Sequence, residues 1–415
     1  VNEHDRFLAT RMRRIPGLPD MGWLEGKRIL VTGGTGCIGS RLIRELSKHH
    51  PAALASFSMR PGLSPWPKTE GVSYLQGDIR HYGTLMDAMR EGWDVVFHTA
   101  AQRDPGLAER HVAETVTTNV FGSLNVIRTA EITGAGCLIF ASTGKALRPF
   151  SPDTYTASKR IAEWLLAGSL VPLSGCARFT HVVDNSIFYG RLARWCHYGQ
   201  PIALHSRDAV FYLQSATEAA ELLMGAASSA REDQAEVHAI TDLGMPAALL
   251  DLAEGCRAAM ASDSPIVVTG YASGYEEKPF PGLYDPLTAG EVSPLLNAFE
   301  AAVARQPYPG AGAAPLDFGA AEIRLKSLER ACWPMAGCPD PCGIKAAMHE
   351  VSWAIMRAAV AAAPLETVRR VAALCKQYEP LPWPHDEMLA IIAGTAGNGR
   401  HEPTSLEAEN DRPRS

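Results

Sequence analysis

The sequence predicts an α/β fold: a doubly wound parallel sheet with a smaller, discontinuous carboxyl-terminal domain and a helical extension. Three observations predict it. Short apolar, β-branched runs alternate with amphipathic helical patterns from residue 28 to about 175, as in a parallel sheet covered on both faces. The first of these runs passes through a glycine-rich turn straight into a helix. The pattern over residues 343–395 is helical and holds no strand signal.

The elements follow in order. Residues 1–26 read as a polar lead-in with a short helix. "KRILVTGGTGCIGSRLIREL", from residue 27, is strand, turn and helix. Further strands are predicted at "ALASFSM", "VSYLQGD", "DVVFHTAA" and "GCLIFAST", with helices at "YGTLMDAMREG" and "TTNVFGSLNVIRTAEITG" between them. After residue 175 the alternation loosens, and residues 279–316, rich in proline, glycine and alanine, predict loops. "GIKAAMHEVSWAIMRAAVAAA" and "LETVRRVAALCKQY" are amphipathic helices. The organisation expected is a lead-in over 1–26, a sheet domain over 27–260 with substrate-side insertions around 180–210, a substrate domain and helical extension over 261–395, and a disordered tail over 396–415.

Composition narrows the function. Of 415 residues, 46% are hydrophobic and 20% charged, enough apolar material for a large core. A net charge of −6 carries no polyanion-binding signature, so neither nucleic acid nor an acidic membrane surface is expected as a partner. No run of apolar residues is long enough to span a bilayer, and "VNEHDRFLATRMRR" is not a signal peptide. Nine cysteines, an odd number scattered through apolar segments, fit reduced thiols, and the expected location is cytoplasmic. Cys332, Cys338 and Cys342, with His349 beyond them, have a spacing that matches no common zinc or iron–sulfur pattern. The expectation there is a proline-rich loop with buried thiols and no metal.

Gly33, Gly36 and Gly39 form a G-x-x-G-x-x-G turn between strand and helix. Chemistry needs small residues there because a pyrophosphate must approach the backbone and rest on the helix amino terminus. Asp78, after the third strand, is placed to hold an adenine amino group; a helix N-cap is the alternative. The second strand ends in Ser58 and Arg60 with no acidic residue, which suits a ribose 2′-phosphate better than a free 2′-hydroxyl. NADP is therefore expected in preference to NAD.

Tyr155 and Lys159 stand in a Y-x-x-x-K spacing, one helical turn apart, with Ser142 and Thr143 upstream. Taking hydride from a carbinol carbon requires taking the hydroxyl proton too. A tyrosinate does this near neutral pH when a lysine ammonium lowers its pKa, and Thr143 can hydrogen-bond the same hydroxyl.

These motifs, with "VTGGTGCIGS", "GDIR", "VFHTAA", "TTNVFGSLNV", "STGKA", "YTASKRIAE", "GQPIALH" and "TDLGMPAALLDLAE", resemble the extended short-chain dehydrogenase/reductases from about residue 27 to 280. The nearest branch is the polysaccharide-biosynthesis group typified by inverting UDP-N-acetylglucosamine 4,6-dehydratases. The resemblance implies a Rossmann sheet, a homodimer, and a sugar or nucleotide-sugar substrate. It further implies a cofactor site of Gly33, Thr35, Gly36, Cys37, Ile38, Gly39, Ser58, Arg60, Asp78, Ile79, Thr99, Ala100, Ala101, Asn119 and Lys159. Thr143, Tyr155 and Lys159 would be its oxidoreduction group.

The sequence also departs from that branch. Its dehydratases read S-T-D-K, where Asp protonates the departing hydroxyl and Lys is a base at the neighbouring carbon; here Lys145 stays but the Asp position is Gly144. The path from Lys145 to Tyr155 is about two residues longer than in the family. Asp104 is a candidate for a relocated acid, a surface carboxylate being the alternative. The diphosphate-binding arginines are missing from "DAVFYLQS" and from the degenerate "ASGYEE" at 272–277, leaving Arg191, Arg194 and Arg207 as substitutes. The leading expectation is a sugar epimerase working through a transient ketone. A 4,6-dehydratase with a relocated acid, a glycoside alcohol dehydrogenase and a non-catalytic cofactor sensor are the alternatives.

Overall fold

The structure is a computed structural model that describes residues 2–232, 234–271, 273, 280, 292–319 and 325–398. Most of the 272–277 segment and the tail beyond 398 lie outside the described residues.

The strands, in chain order, are β1 (Arg28–Thr32), β2 (Ala53–Ser58), β3 (Ser73–Gln76), β4 (Val95–His98), β5 (Cys137–Thr143), β6 (Leu173–Phe179), β7 (His181–Val182), β8 (Ile202–Leu204), β9 (Val210–Phe211), β10 (Leu213–Gln214), β11 (Glu236–Ile240), β12 (Ala247–Ala248), β13 (Ile266–Val268), β14 (Arg305–Tyr308) and β15 (Ala311–Pro315). Nine of them form one sheet in the order β14-β15-β11-β6-β5-β4-β1-β2-β3. From β3 to β11 all neighbours are parallel. The order reverses between β1 and β4, and such a reversal opens a crevice at the carboxyl ends of the strands. Burial explains why β5 reads as an unbroken apolar run: all seven of its residues are buried, as they are in a strand covered on both faces.

The loop expectation for 279–316 needs correction. The described part contains the short helix Ala298–Ala301 and the antiparallel strands β14 and β15, which extend the main sheet from β11. The residues "AGAAP" of β15 have low strand propensity, and tertiary packing overrides it: Ala311, Ala313 and Ala314 are fully buried. Small residues are required, since a side chain on Gly312 would meet Val292 Cγ1 at 2.4 Å. Pro307 is tolerated because β14 is an edge strand with a register irregularity. The sheet therefore draws strands from both sides of the boundary expected at residue 260.

Two satellite cores flank the main one. Phe7 of the lead-in helix Glu3–Thr10 is fully buried with Val183, Leu192, Ile202, Leu213 and Leu252 in the substrate-side half. The lead-in is thus part of the folded unit, and Phe7 stacks on Tyr189 at 4.7 Å. The second core joins Phe150 and Phe299 to Trp353, Val368, Val371 and Ile392 of the helices Pro341–Ala362, Leu365–Lys376 and His385–Asn398. Among the described residues no single helix is long and apolar enough to cross a membrane; the first two of these would suffice only jointly, and they are bent by 118°.

Candidate active site

A cavity of about 1340 Å³ opens at the carboxyl ends of the parallel strands. One wall is the glycine turn after β1. Gly33 adopts φ +71°, and a side chain there would meet the Ala100 backbone nitrogen at 2.6 Å. A side chain on Gly39 would meet the Gly33 oxygen at 2.3 Å. The turn therefore exists only with glycine at both positions, and it lets the helix Cys37–Leu46 start directly against the cavity with its first-turn N–H groups available to an anion. Burial, with Asp184 adding, pushes the Cys37 thiol up to about 12, so it stays protonated.

The other expected cofactor residues are distributed as follows. Thr35, Ile38, Ser58, Arg60, Asp78, Ile79, Thr99, Ala100 and Ala101 line the cavity. Ser58 Oγ receives the Thr35 N–H at 3.4 Å and lies 3.2 Å from Ser56 Oγ. Arg60 is exposed at the rim beyond β2. Asp78 is held by Arg80, whose Nε and terminal nitrogen reach Oδ2 at 2.9 and 2.6 Å while its backbone N–H reaches Oδ1 at 2.9 Å. Burial would raise the Asp78 carboxyl, but these bonds hold it below its ordinary value. Asp78 is not a helix N-cap: the following helix, Tyr82–Met89, begins after His81.

Two expected site residues do other work. Asn119 does not line the cavity. It lies in the wide-turned segment Thr117–Gly122, where its amide receives the Gln102 N–H at 2.8 Å and donates to Gln102 O at 2.9 Å and Ser158 Oγ at 3.0 Å. Asn119 thereby ties the strand-end loop to the tyrosine helix. Asp104 is the N-cap of the helix Pro105–Arg110, its Oδ1 accepting the Leu107 N–H at 2.9 Å, and it is absent from the cavity wall. The candidate relocated acid thus serves as a helix cap, a role that suits an aspartate just before Pro105.

The reactive side chains converge. β5 ends in Thr143, and the helix Thr154–Ala167 begins immediately before Tyr155, so both reach the cavity together with Lys145 and Lys159. Tyr155 and Thr143 are joined by a side-chain hydrogen bond. Burial pushes the Tyr155 phenol up to about 12, opposed by the Thr143 bond and by Arg103. Lys159 Nζ donates to Ala141 O at 2.9 Å and lies 4.5 Å over the Phe140 ring, and burial lowers it to about 7. In this arrangement the Lys159 Nζ bonds the β5 carbonyl of Ala141, and burial is the main influence on the Tyr155 phenol. Burial also lowers Lys145, against the opposing charge of Asp153. Ser142 also lines the cavity, its hydroxyl donating to Glu163 Oε1 at 2.6 Å.

Sequence reasoning missed the group behind this row. Arg178 is fully buried and paired through its guanidinium with Glu163 and Glu300; Arg160 bonds the same two carboxylates. The only available signal was polar residues inside apolar β6 and on the lysine face of the tyrosine helix. Leu295 was missed as well. It lines the cavity, and a side chain on Gly144 would meet Leu295 Cδ2 at 2.7 Å.

The substrate-side wall comprises Thr180, His181, Phe188, Trp195, Tyr212 and Tyr271, among others. Arg191 lines it with Arg103 and Arg148, whereas Arg194 and Arg207 do not. The buried-thiol loop expectation needs correction. Cys332 ends the helix Lys326–Cys332 and is buried, but Cys338 is exposed, and so is Cys342, which sits in the exposed first turn of the helix Pro341–Ala362 that Asp340 caps. Among the described residues no group of His, Cys, Asp or Glu is arranged to hold a metal.

Residues 29–283 match the polysaccharide biosynthesis protein family. The chain belongs to that family. The chain is 34% identical over 137 residues to a UDP-glucose 4-epimerase of Rickettsia bellii, covering 30% of this chain and 39% of the relative. It is 30% identical over 170 residues to an inverting UDP-N-acetylglucosamine 4,6-dehydratase of Campylobacter jejuni, covering 38% and 50%. The chain thus spans about half or less of the length of these two curated relatives. In fold it is similar to the X-ray structure of Pen from Bacillus thuringiensis, with a TM-score of 0.57, 23% identity, and coverage of 70% of this chain and 88% of that one.

Proposed function

We propose that this polysaccharide biosynthesis family member is a nicotinamide-dependent epimerase acting on a nucleotide sugar or related glycoside through a transient ketone. The observation that carries this choice over dehydration is the contact between Gly144 and Leu295. The position where the family's dehydratases keep their acid has no side chain, and an apolar Leu295 methyl stands where one would project. Loss of water needs a proton donor at that point, and Asp104, the other candidate, is committed to a helix cap.

The glycine turn fits a dinucleotide, since a Cβ at Gly33 or Gly39 would strike the neighbouring backbone and push the turn and the helix start out of the cavity wall. Ser58 and Arg60, with no carboxylate at the end of β2, favour NADP over NAD. Such a cofactor, when bound, takes up hydride from the substrate carbon and returns it. The chain's own groups handle the protons. Tyr155 accepts the hydroxyl proton as the ketone forms and gives it back on reduction, and Thr143 orients the same oxygen. Burial pushes the phenol up to about 12 and keeps it protonated, so it must first release its own proton to solvent through the open cavity before, as tyrosinate, it accepts the substrate's. Lys145, lowered by burial, is placed to exchange a proton on a carbon beside the ketone.

The test is incubation with nucleotide sugars and glycosides in deuterium oxide, read by mass spectrometry and NMR. Epimerisation conserves composition and regenerates cofactor. If Lys145 acts as a base, solvent deuterium enters the product and Lys145→Ala stops that exchange. A product lacking the elements of water would overturn the assignment in favour of a dehydratase, and stoichiometric cofactor consumption would make the protein an alcohol dehydrogenase.

A further inference from the structure

The loop from Gly144 to Asp153 carries Lys145 out of β5 and returns the chain to the tyrosine helix. Loops of this kind normally lie on the surface. This one does not: Ala146, Leu147, Arg148, Phe150 and Ser151 are 0–6% exposed. What covers and holds it comes mostly from beyond residue 283, where the family match ends.

The attachments are specific. Asn297 Nδ2 donates to Leu147 O at 2.7 Å while its Oδ1 caps the helix Ala298–Ala301. The Phe150 ring stacks on Trp353 with centroids 3.8 Å apart and planes at 9°. His349 presents its ring edge to Phe150 at 5.6 Å and its Nε2 lies 3.1 Å from Pro152 O. Lys345 pairs with Glu109, whose other oxygen accepts the Thr154 N–H at 2.7 Å, at the first residue of the tyrosine helix. The helix Pro341–Ala362 packs against the helix Thr154–Ala167.

We infer that the helical extension is a positioning element of the active site, in which Asn297, Lys345, His349 and Trp353 hold the loop between Lys145 and Tyr155 in its reactive geometry. The inference rests on the reading of the cavity as an oxidoreductive site. Its physical basis is that proton transfer tolerates little misplacement: a shift of about 1 Å from a distant change can cost ~10²-fold in rate. A lengthened loop has more conformations to lose, and the extension supplies the contacts that select one.

The test compares full-length wild type with Trp353→Ala, Trp353→Phe and, at a partly exposed position, Lys345→Met. Two readouts are taken: hydrogen–deuterium exchange of peptides covering 144–155, and kcat, KM and NADP(H) affinity on the substrate identified for wild type. The expected result is faster exchange confined to that loop in Trp353→Ala. With it, kcat falls on the order of tenfold or more while cofactor affinity holds, and Phe largely restores both. Unchanged loop exchange in both Trp353→Ala and Lys345→Met overturns the inference, and so does faster exchange with kcat per folded molecule intact. If wild type turns over no sugar at all, the functional reading fails, and the exchange data still decide whether the extension holds the loop.

Discussion

Lys159 Nζ lies 2.9 Å from the carbonyl oxygen of Ala141, inside the sheet end and over the Phe140 ring. The lysine is buried, and burial lowers its ammonium from 10.5 to about 7. The folded chain therefore gives up this proton at lower pH than the unfolded chain does. Between about 7 and 10.5 the unfolded state binds more protons, so this group makes stability rise with pH across that window. Lys159→Met removes the effect. Relative to wild type, the variant's melting temperature is expected to be most favourable at or below pH 7, with the difference shrinking towards pH 10. A difference that stays constant over this range would contradict the buried, weakened ammonium.

Tyr155→Phe keeps the ring in its buried place and removes only the hydroxyl bonded to Thr143. Turnover should fall by at least ~10²-fold, while fluorescence titration finds NADP(H) binding retained through the glycine turn. Full activity in the phenylalanine variant would remove the oxidoreductive reading altogether.

Arg60 reaches the cavity rim from an exposed position beyond β2. If it meets a 2′-phosphate, Arg60→Ala weakens NADP(H) on the order of tenfold and leaves NAD(H) nearly unchanged. Equal weakening of both cofactors in a binding titration would show that Arg60 does not read a 2′-phosphate.

Gly144→Asp places a side chain against Leu295 Cδ2 and, at 3.2 Å, against Phe179 O. Overpacking of this kind costs about 1–3 kcal/mol, measurable by chemical denaturation. The variant alone should not dehydrate substrate. Pairing it with Leu295→Ala relieves the contact and restores room for an acid, so any gain of water loss should appear in the double variant first. Dehydration by the single variant would show that Leu295 moves freely.

Glu163 accepts bonds from Ser142, Arg160 and Arg178 with no exposure to solvent. Glu163→Ala would leave Arg178 buried with only Glu300 as counter-charge. Removing one member of a buried ion group typically costs ~3–5 kcal/mol, and the loss should appear in denaturant unfolding whatever the cofactor content. A near-neutral result would mean that the remaining carboxylate suffices.

How far the sequence reached differs from element to element. β1, the glycine turn and the helix Cys37–Leu46 were legible because a fully buried strand must be apolar and the turn admits no side chain at Gly33 or Gly39. The Tyr155–Lys159 pair was legible for a similar reason, since helical spacing is local and carries both side chains to one face. β14 and β15 were not legible. Their "RQPY" and "AGAAP" are poor strand formers; β15 becomes a strand only by pairing against β11, with no room for larger side chains, and β14 only by pairing at the edge of β15. Asp104 looked like an acid because sequence cannot show which way a carboxylate turns, and the backbone N–H of Leu107 decided that. By itself, then, the sequence determined the glycine turn and the Tyr155–Lys159 helix, whose requirements are local and steric. Only the tertiary structure decided that Leu295 faces Gly144, that Glu163 and Glu300 share Arg178, and that Trp353 lies on Phe150. Those contacts join residues more than a hundred positions apart or depend on burying charge, and burial is a property of the packed whole rather than of any stretch of chain.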